Sequence, residues 1–435
     1  MSYRIVVVGG GAGGLELATR LGRTLGKSGN AEIILVDAAP SHLWKPLLHE
    51  VAAGVLSVAE NEVSYIAQAS WNHFEFQIGR LSGIDRASKQ IQLQPVADAS
   101  GLEIVPARKI RYDKLVIAVG SNTNDFNTAG AAEHCLFLDS TAQAARFHTL
   151  LLAEYIKAHS SDNAQNELRI GIVGAGATGV ELAAELKNAS LGLAAYGIKG
   201  IRPDKLFISI IEAGPKVLPA LPDRVSRPVH QTLENIGVEV LTGSPVKEVV
   251  ENGFHTADGR FIPATLKVWA AGIKAPAFLT TMDGLETNRI NQLVVRPTLQ
   301  TTLDDDIFAL GDCAACPLDP SEETPKKFVP PRAQAAHQQA EFLAKALQGL
   351  RKGKAIPHYK YVDYGSLVSL SRFSAVGNLM GNLMGSIKVE GWLARMFYIS
   401  LYRMHQVSIY GYFRTGLLLL SGRISRSAKP SLKLH

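Results

Sequence analysis

The chain has 435 residues, enough for two or three domains, and its 46% hydrophobic against 19% charged residues exclude wholesale disorder. The net charge is +6, but from Lys388 onward eight Lys/Arg face a single acid, Glu390, which leaves −1 for everything before it. Basicity confined to a tail argues against a nucleic-acid partner, which would more often meet a basic folded domain.

The first residues run straight into Arg4-Ile-Val-Val-Val8, a short β-branched run of the kind that forms a buried parallel strand. No apolar stretch with a small-residue cleavage site precedes it, so no signal peptide is expected. A helix from about Gly13 to Gly26 follows, then the strand Glu32–Asp37. The stretch Tyr112–Gly120 reads as a further strand ending in glycine. The opening grammar returns at Arg169–Val173, a helix, and Leu206–Glu212, with an insertion around Leu191 to Lys205. Leu266–Gly272 and Asp306–Asp312 complete the strands, and Pro317–Pro331 reads as a loop. After about residue 360 the β/α rhythm stops. Two βαβ units this far apart imply an α/β protein with two Rossmann-like dinucleotide-binding domains.

Between the first strand and helix stands Gly9-Gly-Gly11-Ala-Gly-Gly14, a G-x-G-x-x-G turn. Its glycines let backbone N–H groups approach a pyrophosphate at the helix N-terminus, and Asp37 stands where an acid binds a ribose hydroxyl. Gly174, Gly176, Gly179 and Glu212 repeat the pattern. A carboxylate about 4 Å from a 2′-phosphate would cost roughly 4 kcal/mol per unit charge at an effective dielectric near 20, so Glu212 favours NADH over NADPH. Lys216 lies close enough in sequence to soften that preference.

These two motifs, with the Ala118-Val-Gly120 and Ala270-Ala-Gly272 turns and Gly311-Asp312, resemble the two-dinucleotide-domain flavoproteins. Within them, the sequence resembles the type II NADH:quinone oxidoreductases, single-subunit respiratory enzymes that do not pump protons. Trp44-Lys-Pro-Leu-Leu-His-Glu-Val51, Thr178-Gly-Val-Glu181, Ala333-Gln-Ala-Ala-His-Gln338 and the tail carry that likeness. The resemblance implies non-covalent FAD on Gly9, Gly11, Gly14, Asp37, Lys45, Gly120, Gly311 and Asp312. It implies NADH, the electron donor, on Gly174, Gly176, Gly179, Glu212 and Gly272, and a membrane quinone as acceptor. Glu181 would shape the proton environment where nicotinamide meets isoalloxazine; a helix-surface acid is its blander reading. Gln334 and Gln338, one turn apart and so on one helix face, would reach flavin and quinone. Uncharged amides suit quinone carbonyls because they avoid burying a charge. His337 is as much a packed histidine as a proton donor.

The expected domains are 1–165 with 285–345 for FAD, 166–284 for NADH, 346–390 as a connecting region, and 391–435 as an amphipathic membrane anchor. In that tail Arg395, Arg403 and Arg414 form a cationic face among aromatics. Three arginines at mid-bilayer would cost roughly 8–10 kcal/mol against about 5–8 returned by the apolar residues, so the segment is expected to lie in the interface rather than span. Gly411 and Gly416 are expected to divide it. This makes the protein peripheral, on the cytoplasmic face of the membrane, with a homodimer contact as the other use of the aromatic face. Cys135, Cys313 and Cys316 offer no disulfide framework or metal site, and Cys313-Ala-Ala-Cys316 reads as two small buried residues. A sulfide:quinone or disulfide reductase would need cysteines beside the flavin, and none occurs before Cys135. A non-catalytic FAD/NADH-binding redox sensor is the rival from another class.

Overall fold

A computed structural model describes residues 3–98, 100–160, 167–195, 205–319, 321–322, 326–370, 374–379, 387–390 and 392–428, the side chains at 159–160, 193–195, 366–367, 374–401 and 422–428 excepted. The chain divides into two compact units. One comprises Met1–Trp44, Glu62–Asn122 and Ile273–Val362; the other comprises Lys45–Asn61, Thr123–Gly272 and Asp363–His435.

The first unit is built on a parallel sheet in the order Ile307–Ala309, Lys114–Ile117, Arg4–Val8, Glu32–Asp37, Glu75–Ile78. Its central strand buries Ile5, Val6 and Val7 completely, as a parallel strand covered on both faces requires. The helix that follows, Ala12–Leu21, ends in a wider turn over Gly22–Gly26, so the expected helix is present with a loosened end. It packs along the helix Ala333–Leu350. An antiparallel sheet of Leu81–Asp85, Gln90–Leu93 and Arg108–Arg111 was not foreseen.

The second unit repeats the plan with the parallel order Val238–Leu241, Leu206–Ile211, Leu168–Val173, Leu266–Trp269. Its bounds differ from the expected span 166–284: it takes in more chain, while 273–284 falls in the first unit. The helix Leu48–Ala52 packs against both Thr141–Ser160 and Ala177–Ala195, which draws 45–61 and 123–165 into this unit. The antiparallel sheet Gly365–Leu370, Ser374–Leu379, Ile387–Glu390 belongs to it too, as does the tail helix, which packs on all three strands. The separate third and fourth domains expected from sequence are therefore not separate.

The tail helix Trp392–Ala428 breaks at Gly411, whose φ of 78° and ψ of 169° leave the helical region. Gly416 stays helical, so one glycine divides the segment, not two. Beyond the break Tyr412 and Phe413 are 86% and 79% exposed, and Leu417 to Leu420 are exposed as well, while Thr415 is buried. Residues 429–435, with Lys429 and Lys433, lie outside the described residues, as do the middle of the 191–205 insertion and the second half of the Gly-Asn-Leu-Met echo at 377–384.

Candidate active site

The two glycine turns have the same construction, each inside its own unit. Gly9 and Gly174 both have φ of +103°, which places them in the left-handed half of the map that a side chain disfavours. A Cβ on Gly14 would stand 1.8 Å from the carbonyl oxygen of Gly9, and one on Gly179 2.0 Å from that of Gly174. The last glycine of each motif is thus required by strand–helix contact. At Gly11 and Gly176 a Cβ would meet nothing within 4 Å. These middle glycines border the open space a pyrophosphate needs, at the start of a helix.

The acids brace the turns. Asp37 accepts from the N–H groups of Gly10 at 2.5 Å and Ala39 at 2.8 Å. Burial pushes its carboxyl above the usual range, against the pull of the surrounding backbone N–H groups. Glu212 accepts from Ala175 and Gly214, both at 2.7 Å. Lys216 does not turn to Glu212: its ammonium donates to Asp223 at 2.7 Å and to the carbonyl of Leu221 at 2.8 Å.

Around the first turn the sequence had given no sign of Tyr65, whose hydroxyl donates to the carbonyl of Gly10 at 2.8 Å and whose ring closes off that face. Asp312 accepts from the Ser121 hydroxyl at 2.9 Å, and its own carbonyl accepts from the Gln292 amide at 2.9 Å. The N–H of Gly311 donates to Gln339 at 2.7 Å. That glutamine, buried on the helix of Gln334 and Gln338, was missed because it lies on the opposite, inward face. Gly120 leaves open space where a side chain would stand.

On that helix, Gln334 accepts from the Tyr361 hydroxyl at 3.0 Å. Gln338 uses both ends of its amide on Val362: it donates to the carbonyl at 2.8 Å and accepts from the N–H at 3.0 Å. His337 lies 2.7 Å from the fully buried Glu16, which also bonds Arg20 at 2.8 Å. The Glu16 bond raises the His337 pKa above its ordinary value against the opposing effect of burial. His337 is therefore held through Nδ1 by the helix of the first glycine turn.

In the second unit Glu181 stands on the helix Ala177–Ala195 and is nearly fully buried. Its carboxylate accepts from the Ser369 N–H at 3.0 Å. Burial, with smaller contributions from Glu50 and Glu185, pushes the Glu181 carboxyl up to about 8. His49 lies 3.6 Å away, also buried, and burial pushes its imidazole down to about 4. Burial thus disfavours the charged form of both partners. His49 sat inside the Trp44–Val51 stretch, but nothing in the sequence tied it to Glu181. Lys45 reaches Asp139 at 3.4 Å, and Asp139 also accepts from the N–H of Thr123 at 2.8 Å. At Gly272 a Cβ would strike the Phe126 ring. Cys313 and Cys316 are buried, and burial pushes their thiols up to about 12, which disfavours the thiolate that disulfide chemistry needs.

Residues 3–340 match the family model of pyridine nucleotide-disulphide oxidoreductases. The chain also shares its fold, at a TM-score of 0.73 and 19% identity over 94% of its length and 92% of the other, with the sulfide:quinone oxidoreductase of Aquifex aeolicus. Fold alone therefore does not separate the two chemistries. A type II NADH:quinone oxidoreductase from Haemophilus influenzae is 46% identical, with 99% of each chain covered. The chain belongs to the type II NADH:quinone oxidoreductases. NDH2 of Plasmodium falciparum, solved with NADH, superposes with a TM-score of 0.80 at 20% identity, covering 95% of this chain and 97% of that one.

The enzyme accordingly oxidises NADH and delivers the electrons, through FAD, to a quinone. The residues present fit two dinucleotides: each unit offers an open glycine turn at a helix start and a braced acid at the end of the next strand. FAD, when bound, supplies the hydride acceptance and onward electron transfer; the chain supplies orientation and electrostatics.

Proposed function

We propose that the two turns divide the nucleotides, with FAD on Gly9–Gly14 and Asp37 and NADH on Gly174–Gly179 and Glu212. Glu181 is the proton-holding group of the NADH side. The observation that carries this reading is its buried carboxyl, 3.6 Å from the buried His49 and bonded by the Ser369 N–H, where burial pushes it up to about 8. A group poised so close to neutrality gives or takes a proton with little driving force in either direction, as general acid–base work requires. Net NADH:quinone reduction consumes one proton with the hydride, and Glu181 is suited to buffer it. The acceptor is served from the helix Ala333–Leu350. Gln334 and Gln338 order Tyr361 and Val362 there, so a quinone binds beside these amides or displaces the Val362 backbone from Gln338. Gly120, Gly272, Gly311, Asp312 and Lys45 complete the nucleotide contacts.

The exposed Tyr412, Phe413 and Leu417–Leu420 are the surface by which the enzyme rests on the bilayer that holds its acceptor. No helix among the described residues is long and apolar enough to cross a membrane. Orientation to the cytoplasmic face follows from where NADH is found, and a homodimer would use the same tail. Stopped-flow measurement of the two half-reactions tests the assignment. Glu181→Gln should alter the pH dependence of flavin reduction by NADH, and a profile identical to wild type would remove Glu181 from that step.

A further inference from the structure

The segment between Glu212 and the helix Asp223–Asn235 carries a lysine, Lys216, four residues beyond the acid proposed for the adenine ribose. That segment is tied to the glycine turn. The N–H of Leu218 donates to the carbonyl of Ala175 at 2.8 Å, and Ala175 is the residue whose own N–H bonds Glu212 at 2.7 Å. Glu212 and Leu218 thus converge on a single residue of the phosphate-binding turn, one on its N–H and the other on its carbonyl.

The course of the segment is firmly determined. Leu218 holds a φ of +47°, a left-handed conformation a leucine adopts only when its surroundings impose it, and both Val217 and Leu218 are buried. The Ser226 hydroxyl bonds the carbonyl of Val217 at 2.6 Å, and the N–H of Leu221 bonds the carbonyl of Leu218 at 2.8 Å. This fold brings the Lys216 ammonium back onto Leu221 and Asp223. Asp223 stands in the first helical turn, where the helix dipole favours an anion, and the lysine holds its carboxyl below the usual range.

An enzyme that takes a 2′-phosphate needs a cation where an enzyme for the unphosphorylated ribose has an acid. Here both halves of that choice are present within five residues, and the cation is tied elsewhere. We propose that Asp223 is a second determinant of nucleotide choice, which withholds the charge of Lys216 from the ribose pocket that Glu212 guards. The inference rests on the assignment of Glu212 to the NADH ribose. It adds that removing the acid alone gives only part of the available tolerance of NADPH, because the lysine stays engaged.

The test uses the FAD-loaded full chain and the variants Glu212→Gln, Glu212→Gln with Asp223→Asn, and that double variant with Lys216→Ala. Two quantities are read: the ratio of kcat/KM for NADPH to that for NADH, and the Kd of NADP+ by calorimetry. Glu212→Gln should raise the ratio. Adding Asp223→Asn should raise it again by about threefold to fivefold, the size expected of one freed, partly exposed ion-pair partner, with a matching tightening for NADP+. Lys216→Ala should abolish that second gain. An Asp223→Asn step that changes neither ratio nor Kd would overturn the proposal, as would a gain that survives loss of Lys216. If Glu212→Gln itself has no effect, the ribose assignment fails and the proposal with it, an outcome distinguishable from the other two.

Discussion

Replacing Glu181 by glutamine should change how stability depends on pH. The folded-state carboxyl titrates at about 8 against 4.5 unperturbed. Between those values the unfolded chain has lost the proton and the folded chain keeps it, so stability falls as pH rises and levels off above 8. At about 1.4 kcal/mol per pH unit, the full span is worth about 5 kcal/mol. His49 acts in the opposite sense. Its folded value of about 4 lies below the ordinary 6.5, so stability is lost as pH falls from 6.5 towards 4. The two slopes offset each other from about pH 4.5 to 6.5, and above that window Glu181 acts alone. In wild type the Glu181 and His49 contributions therefore cancel at mildly acid pH, where the likewise buried His42, pushed down to about 4, still makes stability rise with pH, and Glu181 imposes a decline from about pH 6.5 to 8. The variant, whose amide oxygen can still accept the Ser369 N–H, should instead rise to about pH 6.5 and then stay level. The stability difference between the two should grow by about 4 kcal/mol between pH 5 and pH 8. Urea unfolding followed by far-UV circular dichroism at half-unit pH steps measures it. Parallel profiles for the two proteins would show that Glu181 is not a buried, protonated acid.

Acid or heat should release free FAD into the supernatant, because no His or Cys lies within the first glycine motif; flavin retained by the precipitate would contradict non-covalent binding. Wild type should prefer NADH strongly, and steady-state kinetics showing equal use of NADPH would remove Glu212 from the ribose site. Gln338→Leu should slow quinone reduction far more than flavin reduction in stopped-flow traces; equal losses in both would make its bond to Val362 purely architectural. High salt should leave the protein on membranes while detergent releases it, since four or five buried apolar side chains of the tail supply roughly 6–15 kcal/mol that salt does not screen. Release by salt alone would place the anchor elsewhere.

The sequence made the two sheets legible because buried parallel strands are continuous β-branched runs and each turn needs glycine where the backbone leaves no room for a side chain. Asp37 and Glu212 were legible for the same local reason, standing at strand ends a fixed grammar away from their turns. Tyr65, Gln339 and His49 were not, because each meets its partner across a long sequence separation that no periodicity reports. The unit boundaries were misplaced for a related reason. The short helix Leu48–Ala52 lies in sequence among first-unit strands, but its packing partners are Thr141–Ser160 and Ala177–Ala195. Lys216 was expected to soften the preference for NADH because its tie to Asp223 depends on a backward turn at Leu218, where nothing in the residue type announces a left-handed conformation.

The burial of all three thiols has a chemical consequence for an enzyme that cycles a reduced flavin. Reduced flavins leak electrons to dioxygen, and the peroxide so formed attacks thiolates, not thiols. With Cys135, Cys313 and Cys316 all pushed up to about 12, each is thiolate in only about one molecule in 100,000 at pH 7. The chain therefore presents its own by-product with almost no thiolate to oxidise.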